Sequence, residues 1–215
     1  MNIGLLGFGV VGGGVWELAQ ENRALNVKKV LVRREAPSLG KAAVQDVEAI
    51  LRDTDIDTVV EVLGGLHPAY EWICQALAAG KDVVTANKAV ISAYYRELTA
   101  LAHENGAALR CTAAVGGGIP WLVNLQRCRR VDTVTEVGGI MNGTNFIMDA
   151  MARQGADFPA VLQRAQELGY AEADPSADID GDDIRRKLTI SANIAFDALL
   201  REEDIPAFGI RTVTG

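Results

Sequence analysis

The residues best suited to chemistry lie late in the chain, where six carboxylates precede one lysine, Lys187, within sixteen residues. The carboxylates are Glu172, Asp174, Asp178, Asp180, Asp182 and Asp183. A lysine held beside carboxylates can donate or accept a proton, and Ser191 and Ile194 follow Lys187 at a spacing typical of a packed helix face. The alternative is a solvated acidic loop, in which Asp180 caps a helix and Asp183 forms an ordinary surface pair with Lys187.

A second chemical signal is a glycine-rich segment that follows a short apolar run and precedes a helical pattern. In this context Gly7 permits a tight turn, Gly9 lets a pyrophosphate approach the backbone, and Gly12 lets the helix pack against the strand. The segment predicts a dinucleotide site, and the alternative is a glycine-rich turn without a ligand. The candidate cofactor-binding residues here are Gly7, Phe8, Gly9, Val10, Val11 and Gly12.

The preferred dinucleotide is indicated by Arg33 and Arg34, which stand roughly 20 residues past the glycines, where NAD-selective folds usually place an acidic residue. Guanidinium groups suit a 2′-phosphate, so NADP is favoured, while the adjacent Glu35 leaves NAD open. The alternative is that both arginines only solvate a loop.

Lys88 is a third candidate, because it follows Thr85-Ala86-Asn87 at the end of a predicted strand. Ligands bind at the carboxyl ends of strands in open α/β sheets. Lysine is also common on ordinary protein surface, so the position alone assigns Lys88 no role.

Apolar runs alternating with helical patterns predict the elements that must position these residues. Buried strands are expected over Ile3–Leu6, Val27–Val32, Thr58–Leu63, Asp82–Ala86 and Ala108–Ala114. Helices are expected over Val11–Asn22, Val44–Arg52, Ala69–Ala79 and Ala93–Asn105. The segment between Val32 and Thr58 has room for little more than a vestigial third strand.

The pattern changes after Pro120, where we expect a helix near Trp121–Arg130, a strand near Thr133–Ile140 and then mostly helix. The predicted fold class is α/β, a Rossmann-type doubly wound parallel sheet with a second, smaller α+β domain. We assign residues 1–132 to the dinucleotide-binding domain and residues 133–215 to the second domain, whose role in substrate binding, catalysis and dimerisation is implied by the family resemblance given below.

Composition and charge narrow the class of protein. The 215 residues are 49% hydrophobic and 23% charged, which suits a globular protein with a sizeable core. A net charge of -7 disfavours nucleic acid and anionic membranes as partners. Three scattered cysteines and two separated histidines predict neither a disulfide framework nor a metal site. Neither a secretory signal nor a membrane span is expected, so the predicted location is the cytoplasm.

Four separated blocks of the sequence stand out together. They are the Gly7–Gly12 loop; Thr85-Ala86-Asn87-Lys88; Gly117-Gly118-Ile119-Pro120 with Gly139-Ile140-Met141-Asn142-Gly143-Thr144-Asn145-Phe146-Ile147; and Glu172-Ala173-Asp174-Pro175 through Lys187. In this order they resemble the homoserine dehydrogenase family over nearly the whole chain. The last block is the most specific, because a generic Rossmann protein has no reason to keep these spacings.

The resemblance implies an NAD(P)-dependent oxidoreductase that interconverts L-homoserine and L-aspartate 4-semialdehyde by hydride transfer, in threonine, methionine and isoleucine biosynthesis. It implies that Lys187 transfers a proton and that Lys88, a second catalytic residue, lies beside cofactor and substrate. It further implies a homodimer with a small amino-acid substrate. The substrate-binding residues would be Glu172, Asp178 and Asp183, and the further cofactor-binding residues Gly64, Lys88 and Gly169.

Three departures from the family pattern accompany the resemblance. The family usually has one more residue in the turn at Asn142-Gly143-Thr144-Asn145. Where some members bind a monovalent cation through a glutamate, this chain has Thr112, so no metal is expected. Family members continue beyond the position of Gly215, so we expect an incomplete catalytic domain. The alternatives are a truncated NADP-binding fragment or partner-binding protein without turnover, and another amino-acid dehydrogenase on the same scaffold.

Overall fold

The computed structural model describes residues 1–168 and 175–211, and the chain folds as two compact units. The first unit spans Met1–Trp121 and the second spans Leu122–Gly215. The functional division after residue 132 stays a prediction, because compactness alone does not assign the short segment between the two boundaries to either function.

The first unit is a parallel sheet with helical connections. Its strands are β1 (Asn2–Leu6), β2 (Asn26–Leu31), β3 (Ala43–Val44), β4 (Thr58–Glu61), β5 (Asp82–Thr85) and β6 (Leu109–Arg110). Its helices are α1 (Val10–Glu21), α2 (Glu48–Leu51), α3 (Ala69–Ala78) and α4 (Lys88–Glu104). The strand order is β3-β2-β1-β4-β5-β6, and all neighbouring strands are parallel. This is the Rossmann order, so the predicted α/β fold class is confirmed.

The apolar runs of the sequence form these strands because both faces of the sheet are covered. Leu5 on β1, Val59 on β4 and Val83 on β5 have no exposed surface. Buried parallel strands read as continuous apolar runs, which is why their positions were predictable. Since every strand is parallel, all carboxyl ends lie at one edge of the sheet, and the segments after β1, β2, β4 and β5 meet there.

Three elements of the first unit differ in length from the prediction. Helix α4 begins at Lys88 rather than Ala93, because the Asn87 side chain caps it by accepting a hydrogen bond from the Val90 N–H at 3.3 Å. Strand β6 is only two residues long, since the chain turns into a 3₁₀ helix over Thr112–Ala114. Helix α2 is a single turn, preceded by a 3₁₀ helix over Pro37–Ala42. The two-residue β3 agrees with the vestigial third strand.

The described part of the second unit is helical. Its helices are α5 (Trp121–Cys128), which begins at the boundary, α6 (Gly143–Ala152), α7 (Phe158–Glu167), α8 (Ser176–Ile179) and α9 (Asp182–Phe196), followed by a 3₁₀ helix over Glu202–Asp204. The strand predicted over Thr133–Ile140 is wrong, since residues 133–142 form no regular element. A strand needs a neighbour to satisfy its backbone N–H and C=O groups, and the described residues of this unit offer none. The expected α+β character is therefore missing from this described part.

Helix α9 carries Asp183 and Lys187 and is held at its carboxyl end. The Arg129 guanidinium donates to the Ile194 carbonyl at 2.8 Å and pairs with Asp197 at 3.2 Å. A cation at this end of a helix complements the partial negative charge of the last carbonyls. Ser191 and Ile194 are buried, so the packed face predicted for this helix is confirmed.

No helix among the described residues is long and apolar enough to cross a bilayer. The three cysteines are free, with Cys111 buried and Cys128 exposed. Burial raises the pKa of the Cys111 thiol to about 11, which keeps the reactive thiolate scarce. The part of the chain that the structure describes contains no cluster of His, Cys, Asp or Glu side chains that could hold a metal ion.

Candidate functional site

The glycine-rich segment forms a tight turn between β1 and α1. Gly7 has a φ of +106°, which side chains rarely allow. A Cβ atom at Gly12 would lie 2.3 Å from the Gly7 carbonyl oxygen, so glycine is needed for α1 to pack this closely. Helix α1 has neither a side-chain cap nor an acidic residue in its first turn, and Val10 at its start is 96% exposed. The first N–H groups of α1 are thus positioned to bind an anion.

A pocket of about 620 Å³ opens beside this turn. Its walls come from the glycine turn, from the end of β2 and the residues after it, and from the segment after β4. The lining residues are Gly7, Phe8, Gly9, Leu31, Val32, Arg33, Arg34, Glu35, Ala36, Val62, Leu63, Gly64, His67, Pro68 and Trp72. The volume lies in the range of small-molecule and cofactor sites, which is roughly 300–1,000 Å³.

The pocket's chemistry fits a dinucleotide. No atom lies within 4 Å of the place where a Cβ of Gly9 would stand, so the backbone there is open to a pyrophosphate. Arg33 and Arg34 are exposed on the same pocket and suit a 2′-phosphate, whereas Glu35 beside them suits a ribose hydroxyl. The pocket therefore combines groups that suit a nicotinamide dinucleotide, either NAD or NADP.

A second site lies in the other unit, around the amino end of α9. The Lys187 ammonium nitrogen donates to the Met141 carbonyl at 2.7 Å and pairs with Asp183 Oδ2 at 2.7 Å. The side chains of Lys187 and Asp183 are only 17% and 9% exposed. A surface i,i+4 pair would be largely in water, as Arg153 with Asp149 is in α6 and just after it, at 77% and 61% exposure. The surface-pair alternative for Lys187 therefore does not describe this site.

The buried Asn142 amide links two of the predicted carboxylates. Its Nδ2 atom donates to Asp178 Oδ1 at 2.6 Å and to Asp183 Oδ2 at 2.8 Å. The cluster thus brings two carboxylates together at the end of the helix that carries Lys187. Such a cluster suits a cationic group such as the ammonium of an amino acid.

Two other acids of this region are paired with arginines instead. The Arg211 guanidinium donates to Asp180 at 2.9 Å and lowers the pKa of that carboxyl. Asp182 pairs with Arg185 at 2.6 Å, one turn further along α9. The residue before α9 is Gly181, so Asp180 does not cap that helix. These two acids thus pair with arginines at partly exposed positions, in contrast to Asp178 and Asp183, and the helix cap that the solvated-loop interpretation expected of Asp180 does not form at α9.

Family models match both units of the chain. The homoserine dehydrogenase NAD binding domain matches residues 7–112, and the homoserine dehydrogenase model matches residues 120–215. The chain belongs to the homoserine dehydrogenase family. The predicted resemblance is confirmed, and the nicotinamide dinucleotide site falls within the NAD binding domain of that family.

Similar homoserine dehydrogenases include one from Synechocystis, 44% identical over 100% of this chain and 52% of its own length. The crystal structure of one from Thiobacillus denitrificans is 40% identical, with a TM-score of 0.93 over 100% of this chain and 53% of its own. A hyperthermophilic archaeal homoserine dehydrogenase in complex with NADPH is 26% identical, with a TM-score of 0.85 over 99% of this chain and 74% of its own. The chain spans about half the length of the curated relatives that it matches.

The structure places most of the residues predicted for a homoserine dehydrogenase in these two sites. Gly7, Phe8, Gly9, Arg33, Arg34 and Gly64 line the nucleotide pocket. Val10, Val11 and Gly12 form the first turn of α1 beside it. Asp178, Asp183 and Lys187 gather around Asn142.

Three further predicted residues, Lys88, Glu172 and Gly169, are not among those that the described structure brings together. Lys88 is the first residue of α4, is partly buried and does not line the pocket. Glu172 and Gly169 lie outside the described residues. Their roles stay predictions.

The sequence did not single out two residues that organise the surroundings of the predicted site residues, one in each unit. Asn142 belongs to the segment Asn142–Asn145, which is part of a block that resembles the family. That resemblance was the sequence feature that could have identified Asn142 as a site residue. Glu61 at the end of β4 is fully buried and bonds to Thr85 and Asn87, just before Lys88. Its sequence feature was an acidic residue at the end of an otherwise apolar strand. Such a residue is expected to be buried, and a buried carboxylate needs hydrogen-bond partners.

Replacing Arg33 and Arg34 by alanine should raise the dissociation constant for NADPH much more than that for NADH. Only NADPH carries the 2′-phosphate that the two guanidinium groups would contact. Fluorescence titration of each reduced cofactor measures both constants. As a matched control, Arg23→Ala with Arg52→Ala removes the same charge from exposed positions outside the pocket and should leave the preference unchanged. Equal losses for both cofactors in the Arg33 and Arg34 variant would refute the NADP assignment.

Proposed function

We propose that this chain catalyses the NAD(P)-dependent interconversion of L-homoserine and L-aspartate 4-semialdehyde. The observation that carries the proposal is the buried contact between Lys187 and Asp183, joined through Asn142 to Asp178, in a chain of the homoserine dehydrogenase family. Enzymes of this activity act in threonine, methionine and isoleucine biosynthesis. The chain represents about half of its curated relatives, so its own activity is the claim that needs testing.

The carboxylates suit the binding of homoserine by its ammonium group. Asp178 and Asp183 together carry two negative charges against the single charge of Lys187. The Asn142 amide donates to both carboxylates at 2.6 and 2.8 Å and so fixes their spacing. Glu172, the third predicted substrate-binding residue, would add to the same negative field. We propose that these acids hold the amino acid while its hydroxyl carbon reacts.

Lys187 is suited to move the proton of the substrate hydroxyl. Among the described residues its ammonium nitrogen has two partners, the Met141 carbonyl and Asp183, whereas an ammonium group has three hydrogens. The remaining position can face a substrate oxygen. In the oxidising direction the hydroxyl loses its proton towards the Lys187 amine, directly or through water, and in the reducing direction the ammonium returns it.

The nucleotide pocket would hold NADP, with NAD as the second choice. The amino end of α1 would bind the pyrophosphate, and Arg33 and Arg34 would bind the 2′-phosphate. The archaeal relative in complex with NADPH supports this choice of cofactor. A nicotinamide held there would supply the hydride acceptor for C4 of homoserine and, in its reduced form, the hydride donor for the aldehyde. Lys88, Gly64 and Gly169 would complete the cofactor site, with Lys88 also next to the substrate.

The second candidate is a cofactor-binding or partner-binding protein without turnover. It is favoured by one observation, that the lining residues of the nucleotide pocket all belong to the first compact unit. NADPH binding by the purified chain without homoserine-dependent reduction of NADP would support this candidate against the enzyme.

Lys187→Ala should lower turnover by roughly 10²-fold or more, in line with general acid-base catalysis, and leave cofactor affinity nearly intact. A steady-state assay with homoserine and each nicotinamide cofactor measures both effects. Lys187→Arg tests the charge alone, because arginine stays positive but does not release a proton near neutral pH. A proton-transfer role predicts that arginine fails to rescue turnover.

The matched control is Arg153→Ala, which breaks the exposed i,i+4 pair with Asp149 in the same unit. It should cost about 0.2 to 0.5 kcal/mol of stability at most and leave turnover unchanged. Near-wild-type turnover in Lys187→Ala, with an unchanged circular dichroism spectrum, would contradict the proposed role of Lys187.

We also propose that the chain acts as a cytoplasmic homodimer. The free cysteines suit a reducing compartment. Val131 and Ile140, at 87% and 75% exposure, flank the segment expected to contribute to the dimer surface. Light scattering at micromolar concentration should therefore give the mass of two chains, and a monomer mass would contradict the dimer.

A further inference from the structure

Glu61 is a buried acidic residue that the proposed chemistry does not use. It is the last residue of β4 and has no exposed surface, although a buried carboxylate is costly unless it is fully hydrogen-bonded. It stands at the carboxyl edge of the sheet, where ligands bind in open α/β folds. Its partners therefore show what it holds in place.

Three donors from two segments of the chain converge on the Glu61 carboxylate. Its Oε1 atom accepts from the Leu63 backbone N–H at 2.8 Å and from the Asn87 side-chain amide at 3.3 Å. Its Oε2 atom accepts from the Thr85 hydroxyl at 2.5 Å. A carboxylate only accepts hydrogen bonds, so it can receive all three donors at once.

The Asn87 side chain extends this network in both directions. Its amide also donates to the Gly65 carbonyl at 2.7 Å, and its oxygen accepts from the Val90 N–H at the start of α4. The Asn87 backbone N–H donates to the Thr85 hydroxyl oxygen at 2.9 Å. Glu61 thus ties the loop over residues 62–65 to the amino end of α4, whose first residue is Lys88.

We propose that Glu61 is a positioning residue for the nicotinamide half of the cofactor, because it fixes the loop over residues 62–65 and Lys88 as one unit. The inference rests on the proposed function and names a residue of the same site. Glu61 acts through Leu63, Thr85 and Asn87, and it does not line the pocket itself.

The fold assigns this network to one half of the dinucleotide. A Rossmann sheet consists of two mononucleotide-binding halves, and the dinucleotide lies across the crevice between them. The glycine turn, Arg33 and Arg34 follow β1 and β2 in the first half, which suits the adenosine side. Glu61, Thr85 and Asn87 lie at β4 and β5 in the second half, which leaves them to the nicotinamide side.

The test compares two probes on the purified chain by isothermal titration calorimetry, namely NADPH and adenosine 2′,5′-bisphosphate, which is the adenosine half alone. Glu61→Gln keeps the size of the side chain but replaces one acceptor oxygen by a donor, so one of the three converging donors loses its acceptor. It should raise the dissociation constant of NADPH about tenfold, as expected for one lost hydrogen bond to a charged group. Binding of adenosine 2′,5′-bisphosphate should weaken less than that of NADPH, although Leu63 and Gly64 also line the pocket beside Arg33.

A second variant tests the same network in case Glu61→Gln fails to fold. Asn87→Ser keeps a side-chain oxygen that can cap α4 but removes the amide that joins Glu61 to Gly65. It should likewise weaken NADPH binding more than binding of the adenosine probe. Glu97→Gln, which changes an exposed carboxylate on α4 outside the network, is the matched control and should affect neither probe.

The outcomes separate positioning from general destabilisation. Equal weakening of the binding of both probes would mean that Glu61 only stabilises the first unit. Unchanged NADPH binding in Asn87→Ser would overturn the inference, whatever the result for Glu61→Gln. If the wild-type chain bound neither probe, the proposed function would fail and the inference with it. Selective weakening of NADPH in the folded variants supports the positioning role.

Discussion

The parallel pairing of β1 with both β2 and β4 is the constraint on which the first unit depends. Parallel strands bring all their carboxyl ends to one edge, so the glycine turn, the arginine pair and the segment after β4 open on one pocket. The close approach of Gly12 to the Gly7 carbonyl then sets where α1 begins. A side chain at Gly12 would move that helix and its anion-binding N–H groups together.

In the second unit the Lys187 side chain is mostly covered, at 17% exposure, and two neighbouring groups bind its ammonium nitrogen. Asp183 one turn earlier offsets the charge, and the Met141 carbonyl accepts a second hydrogen bond. Asn142 then prevents the two neighbouring carboxylates from separating, because its one amide nitrogen donates to both. Removing one partner from such a buried network costs more than removing a surface pair, since the remaining charge keeps its desolvation penalty.

Much of the fold could be predicted from the sequence because buried parallel strands and glycine turns leave local signals. Lys187 and Asp183 were also predictable, since i,i+4 spacing on a helix brings them together without knowledge of the fold. The roles of Glu61 and Asn142 were not, because the side chains that they bind are more than twenty residues away in sequence. The strand expected over Thr133–Ile140 failed for the same reason, since strand formation depends on a distant neighbour that local pattern cannot supply.

The proposed transfer of hydride between homoserine and a nicotinamide cofactor can be tested directly with an isotope. The purified chain would be incubated with NADP and with L-homoserine in which both hydrogens at C4 are replaced by deuterium, and the reduced cofactor would be analysed by mass spectrometry. The NADPH formed should carry one deuterium, because C4 of homoserine would be the hydride donor. No reduced cofactor, or NADPH without deuterium, would contradict the proposed function.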